Sequence, residues 1–205
     1  MSAVLATILI PNRAFSISIS ATAQGNLTPP TAIFPDTVTN GDFLISANDD
    51  PDNFIIGDGQ EENTRWTLDF TQDPNWVAFS TTELLTSAKL TLTLTTCCNI
   101  ETDEFRIQTL PSIATPSIQS LPRNTTQTIE LELLDFYSSS DILGVFNRNS
   151  GGLIPMTYFD DALVSFARLE LSNDRSQSVP EPSLILGIVT MGAIGSFATR
   201  RNEKV

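Results

Sequence analysis

The densest group of side chains able to do chemistry in this 205-residue chain is Asn48-Asp49-Asp50-Pro51-Asp52-Asn53, with Asp58, Glu61 and Glu62 close behind. Hard oxygen ligands packed this tightly suit calcium, which takes roughly six to eight of them. The run is not an EF-hand, because a loop begun at Asp49 lacks the glycine at position six and the spacing to a bidentate glutamate. A second acidic pair, Asp160-Asp161, stands just before an alternating apolar segment. The metal expectation is therefore an irregular calcium site that includes Asp49, Asp50 and Asp52 and is completed from elsewhere in the chain. Its competitor is a solvated acidic loop and a turn.

Other chemistries are narrower. The chain has no histidine, which removes Ser-His-Asp and Cys-His triads, His-ligated zinc and a histidine general base. Two cysteines, Cys97 and Cys98, are adjacent, too close for an unstrained structural disulfide and too few for a four-cysteine zinc site. They read as small buried residues at a strand end, the rarer alternative being a strained, reactive vicinal disulfide. Glycoside hydrolysis needs two carboxyl groups roughly 5 to 9 Å apart across a cleft, a condition so undemanding of sequence that chance pairs satisfy it. No catalytic residue is assigned. Trp66, Trp76, Tyr137 and Tyr158 would offer flat apolar faces to sugar rings if exposed. Trp66 falls in phase with core positions, so packing is the better account of it. The net charge, 11 − 24 = −13, repels phosphate backbones, and no run of five basic residues offsets it, so nucleic acid is excluded as a partner.

The elements that must position these groups are strands. Trp66, Leu68 and Phe70 alternate with Thr67 and Asp69, and Leu90, Leu92 and Leu94 with Thr91, Thr93 and Thr95. Phe105 and Ile107 alternate with Arg106, as do Ile129, Leu131 and Leu133 with Glu130 and Glu132. Period-two alternation marks strands with one face in the core. Asp42 to Ser46, Trp76 to Ser80, Ile142 to Phe146 and Ala162 to Leu171 are further expected strands, punctuated by Pro, Gly, Asn and Asp clusters. No soluble amphipathic helix is expected. This many short segments predict an all-β, antiparallel β-sandwich over 24–171, jelly-roll-like in topology, with 172–178 as a polar linker.

Both ends read as targeting segments. Ser183 to Thr199 carries no charge over seventeen residues, and as a helix would span roughly 26 Å. Arg200, Arg201 and Lys204 follow as a basic stop that belongs on the cytoplasmic side. At the other end, Ala3 to Ile10 is apolar and Ala21-Thr22-Ala23 matches a small-residue cleavage site, so residues 1–23 are read as an atypical signal peptide lacking the basic start. The alternative is a first strand, since Phe15, Ile17 and Ile19 alternate with serines.

Val179-Pro180-Glu181-Pro182, then the apolar segment, then the basic cluster: this order resembles the PEP-CTERM sorting signal over 179–205. The resemblance implies a bacterial exported protein, a transient transmembrane anchor and an exosortase partner that processes near Pro-Glu-Pro. The two prolines, which lack N–H donors, favour an extended backbone that a protease cleft accepts. A similarity of fold alone joins the acidic pair to jelly-roll carbohydrate-binding modules, in which such a pair meets acidic N-terminal residues at a structural calcium. The expected function is that of an exported cell-surface or exopolysaccharide-associated structural or adhesive protein. The alternative is a calcium-dependent, lectin-like carbohydrate-binding module, and a carboxylate glycoside hydrolase comes third. The expected location is an inner-membrane intermediate with its passenger outside the cytoplasm, then the cell surface or extracellular matrix.

Overall fold

The alternating segments pair as the leucine and threonine periodicity requires. The computed structural model describes residues 14–48, 55–98, 100–148 and 151–176. Eleven strands are formed among them: β1 (Ala14–Gln24), β2 (Ala32–Ile33), β3 (Val38–Asn40), β4 (Phe43–Ala47), β5 (Ile55–Ile56), β6 (Glu62–Asp69), β7 (Ser87–Thr96), β8 (Glu104–Ile107), β9 (Thr126–Glu132), β10 (Leu153–Asp160) and β11 (Ala162–Ser176). Nine of them build two antiparallel sheets packed as a sandwich, in orders β1-β11-β7-β9 and β3-β4-β6-β10-β8, while β2 and β5 form a small ribbon. From β6 onward each successive strand crosses to the other sheet.

The core lies between the sheets. Leu90, Leu92 and Leu94 of β7 face Trp66 and Leu68 of β6, Ile154, Met156 and Tyr158 of β10, and Phe105 and Ile107 of β8. Between Val164 and Phe166 a register shift in the β11 to β7 ladder changes the phase, so that Val164 and then Ala167, Leu169 and Leu171 are buried. A bulge of this kind lets one long strand keep its apolar residues inward while it bends.

Two expected strands are helices. Trp76–Phe79 is α1, and Ser139–Arg148 is α3, with α2 (Pro116–Gln119) between them in sequence. Ile142, Leu143, Val145 and Phe146 are spaced one, three and four apart, which is one helical face and not a strand face. The start of α3 carries a reciprocal cap: the Asp141 N–H donates to Ser138 Oγ, and the Ser138 N–H donates to Asp141 Oδ2, both at 3.2 Å. Phe146 seats α3 and α1 on the sandwich end, its ring 5.2 Å from Trp76, 5.7 Å from Phe70 and 6.0 Å from Phe79. Gly152 makes this possible, since at φ +85° any Cβ there would stand 2.8 Å from the Trp76 ring.

Two boundaries differ from expectation. β1 runs through Ala21-Thr22-Ala23, and Ile19, Ala21 and Ala23 are all buried in the core, so the expected boundary after residue 23 falls inside the sheet. The expected linker over 172–178 is strand as far as Ser176, with Ser172 paired to Ser87 and the buried Asn173 accepting the Ile17 N–H at 3.3 Å. Polar composition suggested a linker, but an edge between two strands needs polar partners too. Among the described residues no helix is long and apolar enough to cross a membrane, and the expected span 183–199 lies outside them.

Candidate acidic site

Asp161 is the one residue between β10 and β11, and three other parts of the chain converge on it. Its Oδ1 accepts the N–H of Glu61, just before β6, at 3.1 Å. Its carbonyl accepts the N–H of Cys97, just past β7, at 3.2 Å. Its own N–H donates to Asp103 Oδ1, just before β8, at 3.2 Å. The carboxylate oxygens of Glu61, Asp160 and Asp161 lie within 4.8 Å of one another, and Asp160 is also held by the Thr102 hydroxyl, which donates at 2.5 Å. Three anionic oxygens so arranged are the donor set that a hard divalent cation such as calcium uses, with carbonyl or water oxygens filling the remaining positions.

Of the residues expected at a calcium site, Asp160 and Asp161 therefore meet, and they meet Glu61. Asp49, Asp50 and Asp52 lie outside the described residues, as do Val179, Pro180, Glu181 and Pro182 of the processing motif and Arg200, Arg201 and Lys204 of the basic stop.

The thiols of Cys97 and Cys98 also come within 4.8 Å of an Asp161 oxygen. Both cysteines are free and half-buried. Burial, with the neighbouring thiol and Asp161 adding to it, pushes the Cys97 thiol far above its usual range, so it stays protonated and donates to the Gly59 carbonyl at 2.9 Å. A protonated thiol is a poor metal ligand. The Cys97 side chain thus ties the β5 to β6 connection to the end of β7.

Two carboxyls in this region are sealed from water. Glu62 is 1% exposed and Asp103 is fully buried. Burial raises the Glu62 carboxyl to about 7, with the Asp58 charge adding to the rise and the Gly57 and Asp58 N–H donors opposing it. Burial likewise raises Asp103 to about 7, against the Tyr158 hydroxyl, which donates to its Oδ2 at 2.5 Å. A hydrolytic acid needs a raised pKa together with access to substrate; these two have only the first.

Asp103 and Glu62 were legible but unread. Asp103 alternates in phase with Phe105 and Ile107, and Glu62 with Trp66 and Leu68, which puts both acids on core faces. The aromatic residues also resolve: Trp66, Tyr137 and Tyr158 are buried, and Trp76 is half-buried against Phe146, so none offers an open face to a sugar. No protein-family model, no curated protein and no solved structure matches this chain.

Proposed function

We propose that this is an exported structural or adhesive protein of the cell surface or exopolysaccharide matrix, delivered through its C-terminal PEP-CTERM-like signal with an exosortase as processing partner. One observation carries the reading: Pro180-Glu181-Pro182, an uncharged seventeen-residue apolar segment and Arg200, Arg201 and Lys204 follow in order after the sandwich. β11 ends at Ser176, three residues before Val179 in the sequence. Here the apolar segment 183–199 is a transient transmembrane helix with the sandwich outside the cytoplasm. The strand orders support a jelly-roll reading, with β1-β11-β7-β9 as one four-stranded sheet and β6-β10-β8 as most of the other, extended by the β3 to β4 hairpin.

Replacing Pro180, Glu181 and Pro182 with alanine in an exosortase-bearing host is expected to hold the protein at full length in the membrane fraction. The unaltered chain should be shortened and leave that fraction. Equal shortening of both chains would sink the reading.

Calcium is included in the proposal as a strut joining Glu61 to Asp160 and Asp161, holding the β10 to β11 turn against the β5 to β6 connection. A ligand bound only to the folded state stabilises it by about 2.7 kcal/mol at one hundred times its Kd. Saturating calcium is therefore expected to raise Tm by roughly 5 to 10 °C. The Asp161→Asn chain, which keeps an oxygen for the Glu61 N–H, should show little of that rise. Equal melting of the unaltered chain in calcium and in chelator would remove the strut.

A further inference from the structure

An open trough of about 950 Å³ runs between the edge of β1 at Ser20 to Thr22 and the end of β6 at Arg65 to Asp69. β1 is the edge strand of its sheet, and β6, which lies between β4 and β10, is unpaired on its β4 side beyond Arg65. The pairing of β4 with β6 spans Leu44 to Ala47 against Arg65 to Glu62, so Thr67 and Asp69 extend beyond it. On β1, the Ser20 N–H is capped by Asp73 Oδ2 at 2.9 Å and the Gln24 N–H by Asp42 Oδ2 at 2.8 Å. Residues two apart in a strand present their peptides on the same edge, so Thr22 faces the trough between these two caps.

The unspent hydrogen-bonding groups of the trough define its occupant. Trp66 is 3% exposed and lines the trough, yet its Nε1–H has no acceptor. That nitrogen has no surface open to solvent, so it is not among the groups a ligand in the trough can reach. Arg65 is exposed beside it, and the ion pairs among the described residues, Lys89 with Glu130 and Arg168 with Glu170, do not include it. Acceptors stand opposite: Asp42 spends one oxygen on Gln24, and Asp69 spends Oδ1 on Thr71. An anionic ligand would satisfy Arg65 but meet Asp42, Asp69 and Asp73. A cation would satisfy the aspartates but meet Arg65. A neutral ligand whose groups both donate and accept satisfies all of them, and hydroxyls do this.

We propose that the trough binds a neutral carbohydrate chain, with Arg65 donating to sugar oxygens and Asp42 and Asp69 accepting from sugar hydroxyls. Leu44 and Pro155 supply the apolar surface against which a ring can lie. The volume falls at the upper end of the roughly 300–1,000 Å³ typical of ligand clefts, and the open form suits a segment of polymer better than a small enclosed solute. The inference deepens the matrix reading by naming its partner. Binding is measured on purified protein and sorting in cells, so either can fail without the other.

The test is titration of the purified full chain in mild detergent with cellohexaose and mannohexaose, followed by tryptophan fluorescence and calorimetry. Hexagalacturonate serves as the anionic control, and an extended Ser/Thr/Val heptapeptide as the strand-like control. The expected result is saturable binding of a neutral hexasaccharide with Kd of about 1 mM or tighter, weakened at least about tenfold by Arg65→Ala and by Asp69→Ala. Both substitutions sit at exposed positions, and unchanged melting would show that the fold is kept. Absence of saturation by either neutral sugar would overturn the proposal. So would binding indifferent to both substitutions, preference for hexagalacturonate, or binding of the heptapeptide alone, which would make the trough an anion or strand-addition site.

Discussion

A chain that begins at Gln24 is expected to lose its cooperative unfolding transition. Such a chain lacks β1, the edge of the four-stranded sheet, and with it the buried side chains Ile19, Ala21 and Ala23. Truncating one buried isoleucine to alanine costs about 2–5 kcal/mol, and removal of the strand adds the two alanines and every backbone bond from β1 to β11. It also strands the buried Asn173, whose side chain accepts the Ile17 N–H. A domain of this size has a total stability of about 5–15 kcal/mol, so the expected loss consumes most or all of it. Circular dichroism and dye binding of the shortened chain should show a gradual, non-sigmoidal melt and exposed apolar surface. A midpoint within a few degrees of the full chain would show that β1 is dispensable. The consequence reaches function, because a chain cleaved after Ala23 would have to fold without β1.

The second large effect is a fall in stability as pH rises, opposite to the usual behaviour of carboxylates held by ion pairs. Glu62 moves from an ordinary 4.5 to about 7 on folding, and Asp103 from 3.8 to about 7. Both folded values lie above the unfolded ones, so the folded state holds these protons more tightly. Their stabilising effect is complete below about pH 4 and is lost as pH rises through 7. At about 1.4 kcal/mol per unit, reduced for water reaching a destabilised site, the two together amount to roughly 5 kcal/mol between pH 4 and pH 8. Besides burial, the groups that oppose ionisation are Asp58 beside Glu62, and Asp160 and Asp161 beside Asp103, whereas the Tyr158 hydroxyl favours it.

Melting in chelator should therefore give a higher Tm at pH 5 than at pH 8. Glu62→Gln, whose amide oxygen can still accept the Gly57 and Asp58 N–H donors, should raise Tm at pH 8 by roughly 5 °C and leave pH 5 nearly unchanged. A Glu62→Gln chain with the same pH slope as the unaltered one would rule out a buried, uncharged Glu62. Calcium should flatten the slope, because a nearby cation favours the ionised carboxylates.

The strands were readable wherever one face is buried and the other wet, as in Leu90, Leu92 and Leu94 against the intervening threonines. The same rule failed at Ile142 to Phe146, where four apolar residues in five are compatible with either period. There the deciding signal was the Ser138 to Asp141 cap outside the apolar run. At β1 the alternation of Phe15, Ile17 and Ile19 with serines did mark a strand, while Ala21-Thr22-Ala23 within it also has the composition of a cleavage site.

By itself the sequence determined the chemistry that is absent, histidine-based catalysis and ligation, together with the period-two segments and the order of proline, apolar and basic residues at the C-terminus. These are properties of composition or of neighbours along the chain. Only the tertiary structure decided that Glu61 meets Asp161 across one hundred residues, that Asp103 and Glu62 are sealed inside, and that Arg65 shares an open trough with Asp42 and Asp69. Those facts follow from the order and register of the strands. Alternation fixes which face a side chain takes, but not which distant strand will stand beside it.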